Sequence, residues 1–542
     1  MKKKITKALS VALAVTLLGG TLAGCGQKKD EKSNTPASTA SVTSSGAAAY
    51  PLKTNVTLSY WGRLNTNLTN VVQNFGETPF GKELEKRTGV KVNFIHPVGN
   101  NQKEVFNLMI ASGDLPDIIE YEWTPSGYPG GPEKAIKDKV IIELNETIDK
   151  YAPNFKKAVA SKKDIDKLVK TDSGKYYVFP MILSENESVN HGPMVRKDWL
   201  DELKLPVPQT VDEWYTMLKA FKEKKGATAP LLFQVSSGNP LLSDMFIGAY
   251  KVALGYYVDD NGKVHFGPVE PQYKEAVNLL RQWYSEGLID KDFALADKKA
   301  IDAKLLNDKA GAVIYYNSAI ATWIDSKKQK DPKFDIVGAP YPTLKKGEVH
   351  FSGNFVNKHN FGFSAAITTK CKNVEIAAKW LDYAYGDEGR KFFNYGIEGT
   401  SYVTENGKIK FTDLIMKNPQ GLELMKVLPQ YVRYNGPYVK EDGQKDALVK
   451  YSQEAEALKL WSKTEAEKHA FPQVVSYTEE ESREVSKIDT ELKSYRNEML
   501  IKFIIGAEPM ENYSKFVEQL NKIGLEKALK INQDAYDRYL KR

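Results

Sequence analysis

A thiol and a set of aromatic rings are the first residues in this chain positioned for chemistry. Cys25 follows Leu22-Ala23-Gly24, behind a basic stretch (Lys2, Lys3, Lys4, Lys7) and a short apolar run from Ala8 to Leu18. That run is too short to span a bilayer, so residues 1–24 read as a removable export signal. Trp61, Tyr121, Trp123 and Trp323 lie at or shortly after the ends of expected strands. Ligands of open α/β sheets bind beyond the carboxyl ends of strands, where an aromatic ring offers an apolar stacking platform. Core packing is the competing use of each ring. Trp199, Trp214, Trp283 and Trp380 sit on helical faces and are assigned to the core. The fork of donors on Arg196 suits either a ligand carboxylate or a structural ion pair.

Signals for catalysis are sparse. The chain has no nucleophile elbow, no His-Glu-x-x-His zinc motif and no phosphate loop. Its six histidines are scattered, and the nearest pair, His350 and His359, fits neither one helical face nor a finger. Both read as satisfied or exposed. The 69 acidic residues leave room for a glycosidase-type carboxylate pair. The formal charge of +7 owes much to the signal: taking its four lysines from 76 basic residues leaves 72 against 69 acidic, or +3. So even a balance carries no nucleic-acid footprint. No cofactor is expected.

The Leu-Ala-Gly-Cys ending resembles the lipobox of bacterial lipoproteins. The resemblance implies that the Cys25 thiol receives a diacylglycerol and that the chain is cut before it, leaving an amino group open to acylation. Residues 25–49 are rich in Ser, Thr, Lys and Ala and hold almost no large apolar side chain. Such a stretch cannot bury enough surface to offset its ordering entropy, and reads as a flexible tether of roughly 25–30 Å. No later run approaches the roughly 20 apolar residues of a membrane span. With Cys25 acylated, Cys371 has no partner for an intramolecular disulfide, so the fold must rest on its cores. About 518 residues remain, enough for two large ones.

The elements follow an α/β grammar. Asn55–Trp61 reads as a strand, Pro79–Arg87 as a helix and Val90–His96 as an alternating strand. Glu104–Ser112 reads as a helix presenting Val105, Leu108 and Met109, stopped by Gly113 and Pro116. Asp117–Tyr121 is a buried strand. Thr210 to Glu213 form a capping box, and Trp214, Met217, Leu218 and Phe221 line the helix behind it. A helix over 273–286 ends at Gly287. Asn373 is a plausible cap for a helix over 373–385. The last 60 residues are charged and helical, with Phe503, Phe516, Val517 and Leu520 as apolar positions. Asp259-Asp260-Asn261-Gly262 reads as a hairpin turn.

Thr88–Val92 and Ser112–Ile119 resemble the first lobe of family 1 extracellular solute-binding proteins, the receptors of carbohydrate ABC importers. Lys175–Pro180, Val195–Leu200, Gly311–Asn317, and Ala377–Leu381 through Gly389 also fit that family. Gly396–Gly399 and Ala535–Tyr539 are closer still to LipO-like lipoproteins of Gram-positive bacteria. The resemblance implies a periplasmic-binding-protein-like fold (type II), with ligand between two α/β lobes that close by hinge motion. It places lobe one at 50–182 and 343–395, and lobe two at 183–342 and 396–542. Tyr395, Glu398 and Tyr402 then surround the third crossing, and Phe471 and Tyr477 fall where the second lobe supplies aromatics. The implied function is capture of an oligosaccharide for an ABC importer permease, by a monomer held on the outer face of the cell membrane. A peptide ligand, a sensor role and a surface polysaccharide-degrading enzyme are the alternatives. Many members carry a calcium loop after the helix that begins here at Val211. Residues 222–230 lack the spaced oxygen ligands such a loop needs, so no metal is expected.

Replacing Cys25 tests the tether directly. Cys25→Ser should move the protein from the membrane fraction to the soluble fraction and abolish labelling by a fatty-acid probe. Retention of both would refute lipid attachment at this thiol.

Overall fold

The computed structural model describes residues 48–97, 101–161, 165–183, 189–233, 244–352 and 359–542. The expected signal and nearly all of the tether lie outside them. Strands β1 (Thr57–Trp61), β2 (Lys91–Ile95), β3 (Ile118–Tyr121) and β4 (Phe179–Ile182) enter a first sheet. β5 (His191–Arg196) and β6 (Leu231–Phe233) begin a second, and β7 (Tyr256–Val258) and β8 (Val264–Phe266) form a hairpin. β9 (Ala312–Tyr316) and β10 (Ile336–Gly338) complete the second sheet. β11 (His359–Ile367) returns to the first, β12 (Tyr402–Glu405) and β13 (Lys408–Phe411) form another hairpin, and β14 (Tyr438–Val439) edges the first sheet. The orders are β14-β4-β11-β3-β1-β2 and β10-β5-β9-β6. Each sheet has its own buried core. The chain therefore passes from first sheet to second, back, and over again.

Local chemistry accounts for most of these elements. Thr57–Trp61 pairs in parallel with Lys91–Ile95, one residue against one. The helix Pro79–Thr88 starts where Thr78 accepts from the Gly81 amide at 3.0 Å and ends at Gly89, whose φ is 71°. The capping box at Thr210 and Glu213 forms as expected, and Trp214, Met217, Leu218 and Phe221 are all buried behind it. That helix stops at Gly226, and Ala227 and Ala229 lead, buried, into β6. The Asp259 backbone closes the β7–β8 turn with Lys263 at 2.9 Å, and its side chain accepts from the Asn261 and Lys263 amides. Among the described residues no group of three or more His, Cys, Asp or Glu converges as a metal cage would. No helix among them is long and apolar enough to cross a membrane.

Three expectations differ from the structure. The helix Gln102–Ser112 buries Phe106 and leaves Leu108 64 % exposed. Phe106 stacks on Tyr121 with centroids 3.8 Å apart, and this large ring sets the roll of the helix. Asn373 makes no side-chain cap for the helix Val374–Tyr383. The third passage, expected at 395–396, comes after Val439, because β14 pairs in parallel with β4 of the first sheet. From there the helix Ser452–Trp461 packs on the second sheet. Trp461 donates its indole N–H to the Ala339 carbonyl at 3.0 Å. Gly192 lets that ring lie against β5, since a Cβ there would come within 2.5 Å of it. Three helices close the chain: Glu479–Ile505, Tyr513–Ile523 and Leu525–Leu540. Phe503, Phe516 and Leu520 are buried in the second core, with Val517 packed beside them.

Thr210→Ala removes the cap at Val211 without touching the core, so it should cost about 1 kcal/mol of stability in a denaturant titration. A change below about 0.3 kcal/mol would show that the cap contributes nothing.

Candidate ligand site

β1, β2 and β3 run parallel, so their carboxyl ends share one edge of the first sheet. Gly62, Arg63 and Asn65 leave β1 there, and His96 leaves β2. Alternation puts Tyr60 and Glu120 on one face of the sheet, with Tyr60 opposite Ile118 in register. The Tyr60 hydroxyl donates to Glu120 Oε2. Arg433, two residues beyond the helix Leu424–Tyr431, donates Nη2 to the same oxygen at 2.5 Å and lies 4.5 Å over the Phe75 ring. Glu120 is buried, and a buried carboxylate is costly unless it is paired and hydrogen-bonded, which Arg433 and Tyr60 together provide. Burial, with the Glu120 charge beside it, pushes the Tyr60 phenol well above its ordinary pKa. Burial weighs against the charge on Arg433, and Glu120 more than restores it.

His96 fixes the shape of this edge. Its Nδ1–H donates to the Gly62 carbonyl at 2.8 Å, and Nε2 accepts from the Phe75 amide at 3.1 Å. Acceptance at Nε2 requires the neutral ring, and burial holds its pKa down. Tyr60, Arg63, Asn65, His96, Glu120 and Arg433 line a pocket that Tyr434 and Asn435 complete. Its free interior is about 20 Å³, room for one or two water molecules. A smaller, mostly apolar cavity shares Tyr60 and Arg433 with it and is bounded by Trp380. The Trp380 indole N–H has no partner among the described residues.

The residues expected from sequence lie elsewhere. Trp61, Tyr121 and Trp123 are buried on the opposite face of the first sheet, in one aromatic cluster with Phe106 and Tyr128. Trp323 is a core residue of the second sheet, and its indole N–H donates to Asp302 at 2.7 Å. Arg196 is 1 % exposed, forked onto Asp198, paired with Asp308 at 2.7 Å and packed between Trp199 and Phe334. It forms a structural ion pair, one of the two uses that its fork of donors suits. Tyr395 and Tyr402 are buried beside Phe411, while Glu398 is exposed and meets Lys391 at 3.5 Å. Phe471 packs on Tyr256 and Tyr536, and the Tyr477 hydroxyl donates to Asn532 at 2.5 Å. His350 is buried with both ring nitrogens facing backbone carbonyls, and burial lowers its pKa to about 4. The side chain of His359 lies outside the described residues. Part of the pocket had a signal in the sequence. Tyr60 and Glu120 sit one position from the chosen aromatics, and Arg63, Asn65 and His96 follow strand ends, whereas Arg433, Tyr434 and Asn435 follow a helix and carried no such signal.

Residues 70–391, more than half of the chain, match the bacterial extracellular solute-binding protein family. This chain belongs to that family. The fructooligosaccharide ABC transporter substrate-binding protein FusA of Streptococcus pneumoniae is 27 % identical over 492 residues, covering 84 % of this chain and 86 % of its own. Lipoprotein LipO of Bacillus subtilis is 26 % identical over 378 residues, covering 66 % and 70 %. The crystal structure of the alginate-binding protein AlgQ2 superposes with a TM-score of 0.70 at 25 % identity, over 91 % of this chain and 100 % of that one. The two sheets and their passages are thus the two lobes of a periplasmic-binding-protein-like fold.

In this solute-binding protein, the neutral His96 ties the turn after β1 to the residues before the helix at Pro79. A proton on Nε2 would face the Phe75 N–H. Its folded pKa lies below the unfolded value, so its contribution is present above about pH 6.5 and is lost as pH falls. Melting temperature should therefore drop between pH 7.5 and 5. His96→Gln, which has both a donor and an acceptor, should flatten that drop; an unchanged slope would assign it to other groups.

Proposed function

We propose that this solute-binding protein is a lipid-anchored receptor on the outer face of the cell membrane that captures an oligosaccharide and delivers it to an ABC importer. The pocket at the carboxyl edge of the first sheet carries this reading. It combines planar donors and acceptors with aromatic rings, as a site for hydroxyl-rich rings requires. Relatives named for fructooligosaccharide transport and alginate binding support the cargo class. The leader and Cys25, with the relative named as a lipoprotein, support the anchor. A binding role also fits better than hydrolysis. Among the described residues Glu120 is the one carboxylate lining the pocket and is held by Arg433 and Tyr60, whereas a glycosidase needs a second carboxylate across the bond. The pocket itself is too small for a sugar ring, so the ring would rest at its mouth and the second lobe would close over it.

A thermal-shift screen of the full chain against oligosaccharides and peptides, with recovery of every stabilising compound, tests the proposal. A ligand at about 100 times its dissociation constant adds about 2.7 kcal/mol to stability. Stabilisation by a sugar recovered intact is the expected result. Shortened sugar would make the protein an enzyme, and stabilisation by peptides alone would replace the cargo.

A further inference from the structure

Two guanidinium groups converge on a space too small for a sugar ring. Arg433 forms one wall of the pocket, with its side chain only 13 % exposed. Glu120 and the neighbouring Tyr60 hydroxyl engage one edge of it. Among the described residues, no acceptor meets the rest of its five N–H donors. Arg63 also lines the pocket, lying 5.7 Å over the Phe363 ring. Neither a carboxylate nor a carbonyl receives its donors among the described residues. A ring under a guanidinium holds the plane and leaves the donor edge free. Among the described residues, the charges of the lining are thus two guanidinium groups against the Glu120 carboxylate, with His96 neutral.

We infer that this pocket takes the carboxylate of an acidic sugar, so that the cargo of the proposed receptor contains a uronate unit. The inference rests on the oligosaccharide reading above. One positive charge is left over in the lining, which matches one carboxylate. The free interior, about 20 Å³, admits a group of carboxylate size and excludes the ring that bears it. A planar fork facing a planar carboxylate gives paired, charge-assisted hydrogen bonds, which a neutral hydroxymethyl group does not. Asn435 and the side-chain amino group of Asn65, whose Oδ1 accepts from the Asn67 amide at 2.8 Å, then meet ring hydroxyls.

Isothermal titration of the full chain with oligosaccharides of equal length, bearing neutral, uronate or sulfated units, tests this. Uronate chains should bind most tightly. Arg63→Gln, at an exposed position that the fold does not depend on, should weaken them by about tenfold to a hundredfold and neutral chains by less than about threefold. Arg63→Lys should recover only part of the loss, since it keeps the charge but not the fork. Neutral chains binding as tightly as uronates, or Arg63→Gln weakening both alike, would overturn the uronate assignment while leaving the receptor reading intact. Tighter binding of sulfated chains would overturn it in favour of a tetrahedral anion. No binding by any of the three would bring down the receptor reading as well.

Discussion

A buried carboxylate in the middle of a sheet constrains the first lobe more than any other single group. Glu120 sits in β3 and is 2 % exposed. A charge taken that far from water costs several kcal/mol unless it is paired and hydrogen-bonded. Its partner, Arg433, lies 313 residues later in the chain. Satisfying the pair requires the segment around Leu424–Val439 to dock at the carboxyl edge of the first sheet. The same docking brings β14 alongside β4 and carries Tyr434 and Asn435 to the pocket. This is the physical reason that the third passage to the second lobe comes after Val439 and not near residue 395.

The pocket is a product of alternation. Successive residues of a strand face opposite sides, so Trp61 and Tyr121 go to one face while Tyr60 and Glu120 go to the other. The aromatic face is closed by Phe106 and Tyr128 and becomes core. The other face keeps a polar opening because a hydroxyl, a carboxylate and a guanidinium cannot be packed away as hydrocarbon can. His96 then ties the ends of β1 and β2 together through the bond it donates to Gly62, and holds Phe75 through the bond it accepts. Groups already held by these bonds lose less freedom when a ligand is bound.

Arg196 shows the opposite outcome for a similar side chain. It is buried as deeply as Glu120, but each of its three nitrogens donates to an aspartate and two aromatic rings cover its faces. Among the described residues, Arg433 and Arg63 keep nitrogens that meet no acceptor, and that remainder makes them candidates for recognition while Arg196 is structural. Residue type does not separate these arginines; the number of acceptors within reach does.

Much of the fold was legible in the sequence because it is set by local rules. The capping box at Thr210, the stop at Gly113, the turn at Asp259–Gly262 and the alternating strands all form where short-range chemistry places them. The ordered run of family motifs likewise needs no long-range contact to be read. The candidate site was legible only to the level of strand ends. Which of two adjacent residues faces a pocket depends on which side of the sheet is covered. That depends on the docking of Phe106 on one side and of Arg433 on the other. The roll of the helix Gln102–Ser112, the partner of Glu120 and the place of the third passage share this cause. Each is settled by a contact between residues far apart in the chain, and such a contact exists only once the tertiary structure has formed.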